Sequence, residues 1–359
     1  MKAVVRRGTE LVSTEVADPT PGEGQVLVKT LVCGICGSDL HALHYLDHMV
    51  EMTRKAGGSE SINTKADMVF GHEFSAEVLD YGPGTEKRLK PGTRIVSVPT
   101  AFGPQGAELV GYSNRFPGGF AERMVLQEAL LLEVPNGLSA EAAALTEPMS
   151  VGEHAVAQAN VTPQSVALVI GCGPVGLSVI AALKARGVGP VIATDLSAER
   201  RAAAEKMGAD IVLDPREHSP HDKWEGFDVP ATMASFSTAQ LLGRSLRDAI
   251  VFECVGVPGM LQNLIQNVPP TATIVVVGVC MESDVIEPSL AINKQLSLKF
   301  VFGYSADEFA ATLHAIAQGE RVHEPMLSGS VGRSGVADAF QRLTAGGDCI
   351  KIMVDPSRA

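Results

Sequence analysis

Three widely separated segments of the sequence carry side chains that could together hold a zinc ion. Cys36 follows a β-branched run that predicts a strand, and His72 precedes another such run. A thiolate, an imidazole and a third ligand from a distant loop are the set used by catalytic zinc, with one position left open for water or substrate. Glu147 stands directly before Pro148 and a helical stretch, and it is our choice for the third ligand. The three residues predict a metal-assisted reaction.

The Cys33-Gly-Ile-Cys36 run has two other interpretations. It could be a redox pair, but such a pair opens a helix in a thioredoxin-like unit, whereas this run closes a predicted strand. Cys36 could also be a buried, inert thiol. We favour a ligand role for Cys36 and interpret Cys33 as a packed neighbour. His44 and His48 lie in a polar stretch, and we expect them to be exposed without a chemical role.

A second chemical signature is the glycine-rich run Gly171-Cys-Gly173-Pro-Val-Gly176. The apolar residues 166–170 before it predict a buried strand, and the apolar periodicity after it predicts a helix. In that context the first glycine permits a tight turn, the second admits a pyrophosphate, and the third lets the helix pack against the strand. The unpaired N–H groups at the helix start bind phosphate oxygens. The run therefore predicts a dinucleotide site in preference to a glycine turn without a ligand.

Asp195 ends the second predicted strand, nineteen residues after Gly176, where a carboxylate can accept two hydrogen bonds from a ribose. A 2′-phosphate beside Asp195 would be repelled, so the sequence favours NAD over NADP. Arg200 and Arg201 could weaken this preference, but we expect both on the solvent face of the next helix, with Arg200 able to reach the ribose. The predicted cofactor contacts in this part of the chain are Gly171, Gly173, Pro174, Val175, Gly176, Asp195 and Arg200.

Six strand candidates separated by helical stretches predict one doubly wound parallel sheet around these contacts. The candidates cover residues 166–170, 190–195, 210–213, 249–253, 273–278 and 296–300. The carboxyl ends of such strands line the ligand crevice, so the turns after the fourth and fifth strands should border the nicotinamide. These turns contribute Cys254, Val255, Gly256, Val277 and Gly278. Residues 155–301 are thus predicted to form a nucleotide-binding domain.

The N-terminal part of the chain has a different residue pattern. Short β-branched runs alternate with Gly and Pro, which predicts a partly closed, mostly antiparallel β domain. The runs cover residues 25–32, 74–79, 92–98 and 120–126. Residues 43–68 between them are predicted to be an irregular surface excursion. A helix at 305–318 and a last strand at 349–354 are predicted to return to the β domain, which would then comprise 1–154 and 302–359.

Length and composition limit the classes of protein to consider. A chain of 359 residues with 45% hydrophobic content can build two domains with sizeable cores. The net charge of −12, with no basic run to offset it, argues against nucleic acid as a partner. No apolar segment reaches the ~20 residues that span a bilayer, and no secretion signal is evident, so we expect a cytoplasmic enzyme without a membrane partner. Six scattered cysteines indicate free thiols in a reducing compartment.

In chain order, these motifs resemble the zinc-dependent medium-chain dehydrogenase/reductase family, which includes alcohol, polyol and threonine dehydrogenases. The resemblance covers nearly the whole chain. It rests on the segments Cys36-Gly-Ser38-Asp-Leu-His41, Gly71-His72-Glu73, Gly118-Gly-Phe-Ala-Glu122 and Glu147-Pro-Met-Ser-Val. It implies a fold of class α/β plus mostly β, in which a GroES-like partly closed β-barrel catalytic domain accompanies a Rossmann doubly wound parallel-sheet domain.

The resemblance also implies roles for individual residues. Cys36, His72 and Glu147 would be the zinc ligands, with Glu73 able to join them or replace one. The other implied roles are Ser38 as the hydroxyl that takes the substrate proton, His41 as its relay to solvent, Asp39 as the carboxylate that orients the histidine ligand, and Lys351 as a neighbour of the cofactor pyrophosphate.

The implied reaction is hydride transfer between a small alcohol and NAD, giving an aldehyde or ketone, at a site between the two domains. One alternative is a zinc-free, NADPH-dependent quinone or enone reductase of the same superfamily, but such proteins lack the Cys/His pair. Another is a non-catalytic dinucleotide-binding protein, which the retained proton relay disfavours. The sequence leaves open whether the substrate is a primary alcohol, a secondary alcohol or a polyol.

The chain departs from many members of the family in one segment. Residues 92–119 contain no cysteine where those members carry four around a structural zinc, so we expect one catalytic zinc ion and no structural one. The family likeness also leads us to expect a homodimer or homotetramer, with the apolar segment 273–279 extending across a two-fold axis.

Overall fold

The structure is a computed structural model that describes residues 1–58, 62–104, 106–347 and 349–359. The chain divides into two compact units. The first unit contains Met1–Pro148, Phe309–Gly319 and Leu327–Ala359, and the second contains Met149–Glu308 and Glu320–Met326.

Strands predominate in the first part of the chain, and strands alternate with α-helices from Val166 onwards. The strands are β1 (Lys2–Arg7), β2 (Glu10–Glu15), β3 (Gln25–Gly34), β4 (Glu73–Tyr81), β5 (Arg94–Ser97), β6 (Thr100–Gly103), β7 (Gly106–Leu109), β8 (Arg123–Gln127), β9 (Leu131–Glu133), β10 (Val166–Ile170), β11 (Val191–Thr194), β12 (Ile211–Leu213), β13 (Ala249–Glu253), β14 (Thr273–Val276), β15 (Ser297–Phe300), β16 (Leu327–Val331) and β17 (Lys351–Val354). The helices are α1 (Gly37–Lys55), α2 (Ala140–Ala144), α3 (Thr146–Gln158), α4 (Pro174–Ala185), α5 (Ala198–Lys206), α6 (Met233–Leu241), α7 (Met260–Asn267), α8 (Pro288–Asn293), α9 (Ala306–Ala317) and α10 (Val336–Ala345). Short 3-10 helices cover Glu128–Leu130, Pro220–Phe227, Glu324–Met326 and Arg333–Gly335.

The first unit is built on a largely antiparallel sheet in the order β16-β17-β3-β4-β5-β9, with β8 paired to β3. Side chains alternate between the two faces of a strand, and in β3 this alternation buries Val26 and Val28. Phe70 and Phe120 join them in one apolar core. β17 pairs with β3, so the end of the chain completes this sheet. The predicted mostly β, GroES-like fold is confirmed.

The second unit is a parallel sheet of six strands in the order β12-β11-β10-β13-β14-β15. β10 is buried along its whole length because helices cover both faces of a doubly wound sheet. The strand order reverses beside β10, and β10 pairs with β11 on one side and with β13 on the other. The six predicted strands and the Rossmann fold are confirmed.

Residues 273–276 of the segment 273–279 form β14, which lies inside the parallel sheet. β14 pairs with β13 on one side and β15 on the other, so its backbone groups are already used within the sheet. The expectation that residues 273–279 extend across a two-fold axis stays a prediction. Among the described strands, β15 forms the edge of the sheet next to β14, and Phe300 at its end is 69% exposed.

The predicted irregular excursion at 43–68 is wrong over its first part, because α1 continues to Lys55. Ala42, Leu46 and Val50 are buried along one face of α1. Their spacing of four residues is a helical periodicity within an otherwise polar stretch. Residues 59–61 of the excursion lie outside the described part of the chain.

The cysteines are free thiols, three of them buried and three half-buried. The helices of the described segments were also searched for a candidate membrane span. None of them combines the length and the apolar composition needed to cross a bilayer.

Candidate active site

The end of β3 and the start of β4 bring three potential zinc ligands together. Cys36 precedes the first residue of α1, while His72 and Glu73 lie at the start of β4. Antiparallel pairing sets Gly34 opposite Glu73, so the two chain segments meet at this end of the sheet. The ligand atoms of Cys36, His72 and Glu73 all lie within 4.8 Å of one another. This thiolate, imidazole and carboxylate set matches the chemistry of a zinc site.

Glu147 lies in the first turn of α3 and is not a member of this three-residue cluster. It is nevertheless close enough to act on it electrostatically. Burial alone would lower the pKa of His72, but the negative charges of Asp39, Cys36 and Glu147 raise it well above its ordinary value. A site that favours positive charge this strongly suits a divalent cation.

Asp39 stands behind the histidine of the cluster. Its side chain is fully buried, and its Oδ1 lies 3.6 Å from His72 Nδ1, which is buried and has no hydrogen-bond partner among the described residues. Its Oδ2 accepts a hydrogen bond of 3.0 Å from the backbone N–H of Cys36. Burial raises the pKa of this carboxyl. The same carboxylate thus faces one potential ligand and fixes the backbone of another.

The glycine run of the second unit forms a turn that only small residues can build. Gly171 has a φ of +89°, and a Cβ on Gly176 would overlap the Gly171 carbonyl oxygen. Gly173 caps α4, and a Cβ there would meet no atom closer than Arg200 Nη1 at 3.9 Å. Open space at the start of a helix is what a pyrophosphate requires.

Asp195 faces this turn from the end of β11. Its Oδ2 accepts from Cys172 N at 2.7 Å, and its Oδ1 accepts from Ser197 N at 2.8 Å. Arg201 donates to the Asp195 carbonyl and pairs with Asp214, so it is not turned toward open space. Arg200 Nε is buried without a hydrogen-bond partner among the described residues.

The turns after β13 and β14 touch one another. Gly256 has a φ of +71°, and a Cβ on Gly278 would overlap the backbone nitrogen of Gly256. Glu253, which the sequence reasoning did not single out, supports both turns. Its side chain accepts from the N–H groups of Val255 and Gly256 at 2.7 and 2.8 Å, and its carbonyl accepts from Val277 and Gly278 at 2.9 Å.

Comparison with known proteins agrees with this geometry. Residues 22–136 match the family described as alcohol dehydrogenase GroES-like domain, and residues 174–318 match zinc-binding dehydrogenase. The chain is 32% identical over 351 residues to (R,R)-butanediol dehydrogenase of Bacillus subtilis (strain 168), covering 95% of each sequence. The chain belongs to the zinc-dependent medium-chain alcohol/polyol dehydrogenase family. It is also 27% identical to sorbitol dehydrogenase of the same bacterium over 373 residues, covering 100% of this chain and 98% of the relative.

A solved structure supports the same membership. The crystal structure of 2R,3R-butanediol dehydrogenase from Bacillus subtilis superposes with a TM-score of 0.78 at 29% identity, covering 99% of both chains. The chain is therefore an alcohol/polyol oxidoreductase of a zinc-dependent family.

Within this dehydrogenase, Ser38 and His41 lie on α1 directly after Cys36. They are three residues apart, so they share one side of the helix. Both are half-buried, and burial lowers the pKa of His41. The other two histidines of α1 differ in exposure, with His44 exposed and His48 half-buried.

Tyr112 is a residue of this site that sequence reasoning missed. Its hydroxyl lies 2.8 Å from Asp39 Oδ1 and 3.0 Å from Ser38 Oγ, and burial raises its pKa well above the ordinary value. Its ring centroid is 5.3 Å from that of His72 and 5.6 Å from that of Phe70. It lies in the segment without cysteines, 92–119, where the sequence offers no periodicity or motif to single it out.

Lys351 is buried beside the zinc-ligand cluster. Its Nζ is buried and donates to both carboxylate oxygens of Glu73, at 2.7 and 2.6 Å, and to the Ile35 carbonyl at 2.9 Å. Both side chains of the ion pair are 1% exposed. The positive charge of Lys351 is therefore directed at the carboxylate of the zinc-ligand cluster, and its contact with the cofactor pyrophosphate stays a prediction.

The structure also corrects the argument used against a redox pair. α1 begins directly after Cys36, so the Cys33-Gly-Ile-Cys36 run does open a helix. What sets the two thiols apart is their surroundings. Cys33 is fully buried, and burial raises its pKa well above the ordinary value, whereas Cys36 is half-buried beside His72. A thiol held protonated in an apolar core is a poor redox partner.

Proposed function

We propose that the chain is an NAD-dependent enzyme that oxidises a hydroxyl of a small diol or polyol, and reduces the matching carbonyl compound in reverse. The observation that carries the proposal is the cluster of Cys36, His72 and Glu73 in a chain that also holds a dinucleotide-type glycine turn. The names of the butanediol and sorbitol dehydrogenase relatives support the substrate class.

Cys36, His72 and Glu147 are the proposed ligands of one zinc ion. Glu73 lies in the cluster, but both of its oxygens already accept hydrogen bonds from Lys351. We therefore propose Glu147, whose negative charge acts on His72, as the carboxylate ligand. Glu73 remains close enough to join or replace a ligand. When bound, zinc supplies Lewis acidity at the alcohol oxygen and NAD supplies the hydride acceptor.

The proton released in the reaction is transferred by residues of the protein. Oxidation removes a hydride from the alcohol carbon and a proton from its oxygen. We assign the proton to Ser38 Oγ, which passes its own proton to His41 and so to solvent. The lowered pKa of His41 keeps its imidazole neutral near pH 7, so that it can accept a proton.

NAD is the proposed cofactor because Asp195 brings a carboxylate to the mouth of the glycine turn. Its charge repels a 2′-phosphate, while its oxygens suit a ribose diol. The contacts proposed around it are Gly171, Gly173, Pro174, Val175, Gly176 and Arg200, together with Cys254, Val255, Gly256, Val277 and Gly278 of the two later turns.

A homodimer or homotetramer is the proposed assembly. β15 has its backbone at the edge of the parallel sheet, and Phe300 and Phe302 beside that edge are 69% and 91% exposed. Aromatic side chains next to an open strand edge are typical of a surface that pairs with another copy. The free cysteines fit a reducing compartment, and we propose the cytoplasm. Residues 1–154 and 302–359 are the proposed catalytic domain, and 155–301 the nucleotide-binding domain.

Metal analysis, NADH titration and a substrate panel test the proposal together. We expect about one zinc per chain, saturable NADH binding, and NAD reduction with vicinal diols or polyols above simple primary alcohols. Cys36→Ala should remove zinc and turnover while leaving NADH binding intact. Cys33→Ala is the matched control, because it removes a neighbouring thiol that is not a member of the cluster and should retain zinc. Zinc retained by Cys36→Ala, or no turnover across the panel, would contradict the assignment.

A further inference from the structure

We propose that Tyr112 is a positioning residue that holds Ser38 ready to accept the substrate proton, an inference that rests on the proposed function of Ser38. Tyr112 comes from the segment that carries no cysteine, and its hydroxyl lies within hydrogen-bond distance of both Ser38 and Asp39. The three side chains form a chain of hydrogen bonds that begins at the proposed proton acceptor and ends at the carboxylate facing His72.

The direction of these hydrogen bonds follows from the number of protons available. The Tyr112 hydroxyl has one proton to donate, and the Asp39 carboxylate can only accept. Tyr112 therefore donates to Asp39 Oδ1 at 2.8 Å, and its oxygen accepts from the Ser38 hydroxyl at 3.0 Å. Asp39 is itself held by the backbone N–H of Cys36, so the acceptor at the end of the chain is fixed.

This arrangement prepares Ser38 for its proposed role. With its own proton directed at Tyr112, Ser38 Oγ keeps its lone pairs for the incoming hydroxyl proton of the substrate. When that proton arrives, Ser38 breaks its hydrogen bond to Tyr112 and gives its original proton to His41, and the proton received from the substrate then restores the hydrogen bond to Tyr112. Tyr112 ends the cycle with the proton it had at the start, so it positions Ser38 without taking part in the transfer.

The contribution of the hydroxyl can be separated from that of the ring. The ring packs against His72 and Phe70, and these contacts survive in Tyr112→Phe. Tyr81→Phe is the matched control, because the Tyr81 hydroxyl is buried without a hydrogen-bond partner among the described residues of the same unit. Both variants lose one buried hydroxyl, but only Tyr112→Phe loses contact with Ser38.

Turnover of the zinc-loaded full chain is the first measurement. Loss of one positioning hydrogen bond should lower kcat about tenfold with little change in KM, zinc content or NADH affinity. Tyr81→Phe should keep the parent kcat. The double variant Ser38→Ala/Tyr112→Phe should be no slower than Ser38→Ala alone, because Tyr112 acts through Ser38.

The second measurement needs no metal or cofactor. In urea unfolding of the zinc-stripped chain, the midpoint shifts of Ser38→Ala and Tyr112→Phe should sum to more than the shift of the double variant, because each single change already breaks the same hydrogen bond. Additive shifts, or a double variant slower than Ser38→Ala by the full Tyr112→Phe factor, would overturn the inference about Tyr112. Full activity of Ser38→Ala would instead overturn the proposed function of Ser38, whatever Tyr112→Phe does.

Discussion

Replacing Lys351 by methionine would remove the positive charge from a buried ion pair while keeping most of the apolar stem of the side chain. Lys351 and Glu73 are both 1% exposed, and Lys351 Nζ donates to both oxygens of Glu73. Breaking a buried pair from one side strands the other charge, which costs about 3–5 kcal/mol. Lys351→Met should therefore lower the stability of the first unit by that amount, a large share of the roughly 5–15 kcal/mol of a typical domain.

The double variant Lys351→Met/Glu73→Gln distinguishes the loss of the ion pair from the cost of leaving the Glu73 charge buried and unpaired. A neutral buried amide costs only about 1–3 kcal/mol when it lacks partners, so the double variant should be more stable than Lys351→Met alone. Lys55→Met is the matched control, because Lys55 and Glu51 form an exposed pair on α1 with 65% and 51% exposure. Surface pairs of this kind contribute little, and the control should unfold like the parent.

Urea unfolding of the zinc-stripped chain, followed by far-ultraviolet circular dichroism, measures these differences. With a slope of about 2 kcal/mol per molar urea, the expected loss for Lys351→Met shifts the midpoint by about 2 M. Fluorescence is the wrong probe, because the single tryptophan, Trp224, lies in the second unit. A Lys351→Met midpoint equal to that of Lys55→Met, or a double variant less stable than Lys351→Met, would refute the reasoning.

Three further predictions concern the second unit. Asp195→Gly removes the carboxylate that repels a 2′-phosphate, so the ratio of kcat/KM for NAD to kcat/KM for NADP should fall at least tenfold. An unchanged ratio would show that the ribose is bound elsewhere. Gly173→Ala adds a Cβ with no atom closer than 3.9 Å, so the thermal unfolding temperature should match that of the parent. The affinity for NADH, measured by fluorescence titration, should fall by about tenfold or more, because the Cβ occupies the space that the pyrophosphate needs. Unchanged affinity would mean that no pyrophosphate approaches Gly173. Despite partial burial, Arg186 and Arg321 hold the pKa of Glu153 below its ordinary value. These ion pairs therefore stabilise the fold above that ordinary pKa, and the stabilisation is lost as pH falls through the lowered pKa. Glu153→Gln should flatten the decline in unfolding midpoint below about pH 5, and parallel curves of midpoint against pH for the parent and the variant would contradict the pairing.

The parts of the site that the sequence predicted are those carried by local patterns. The turn from Gly171 to Gly176 depends on residues within one strand-turn-helix, so its spacing alone predicts its conformation. Cys36 and His72 were predictable because each stands at the end of a recognisable strand and both fall in motifs of a known family. By contrast, α1 was missed because its apolar face consists of only a few residues in a stretch rich in charges and histidines.

Tyr112 and Lys351 could not be predicted because their positions depend on contacts between segments that are distant in the sequence. Lys351 reaches Glu73 because β17 pairs antiparallel with β3, which sets Met353 opposite Gly34, while β3 sets Gly34 opposite Glu73. A shift of one residue in either register would turn the side chains to the opposite face of the sheet. The sequence contains no motif that specifies either register. Residues that join a site through contacts between distant segments are therefore found from structure. The functional hypotheses about Tyr112 and Lys351 could be made only once the fold was known.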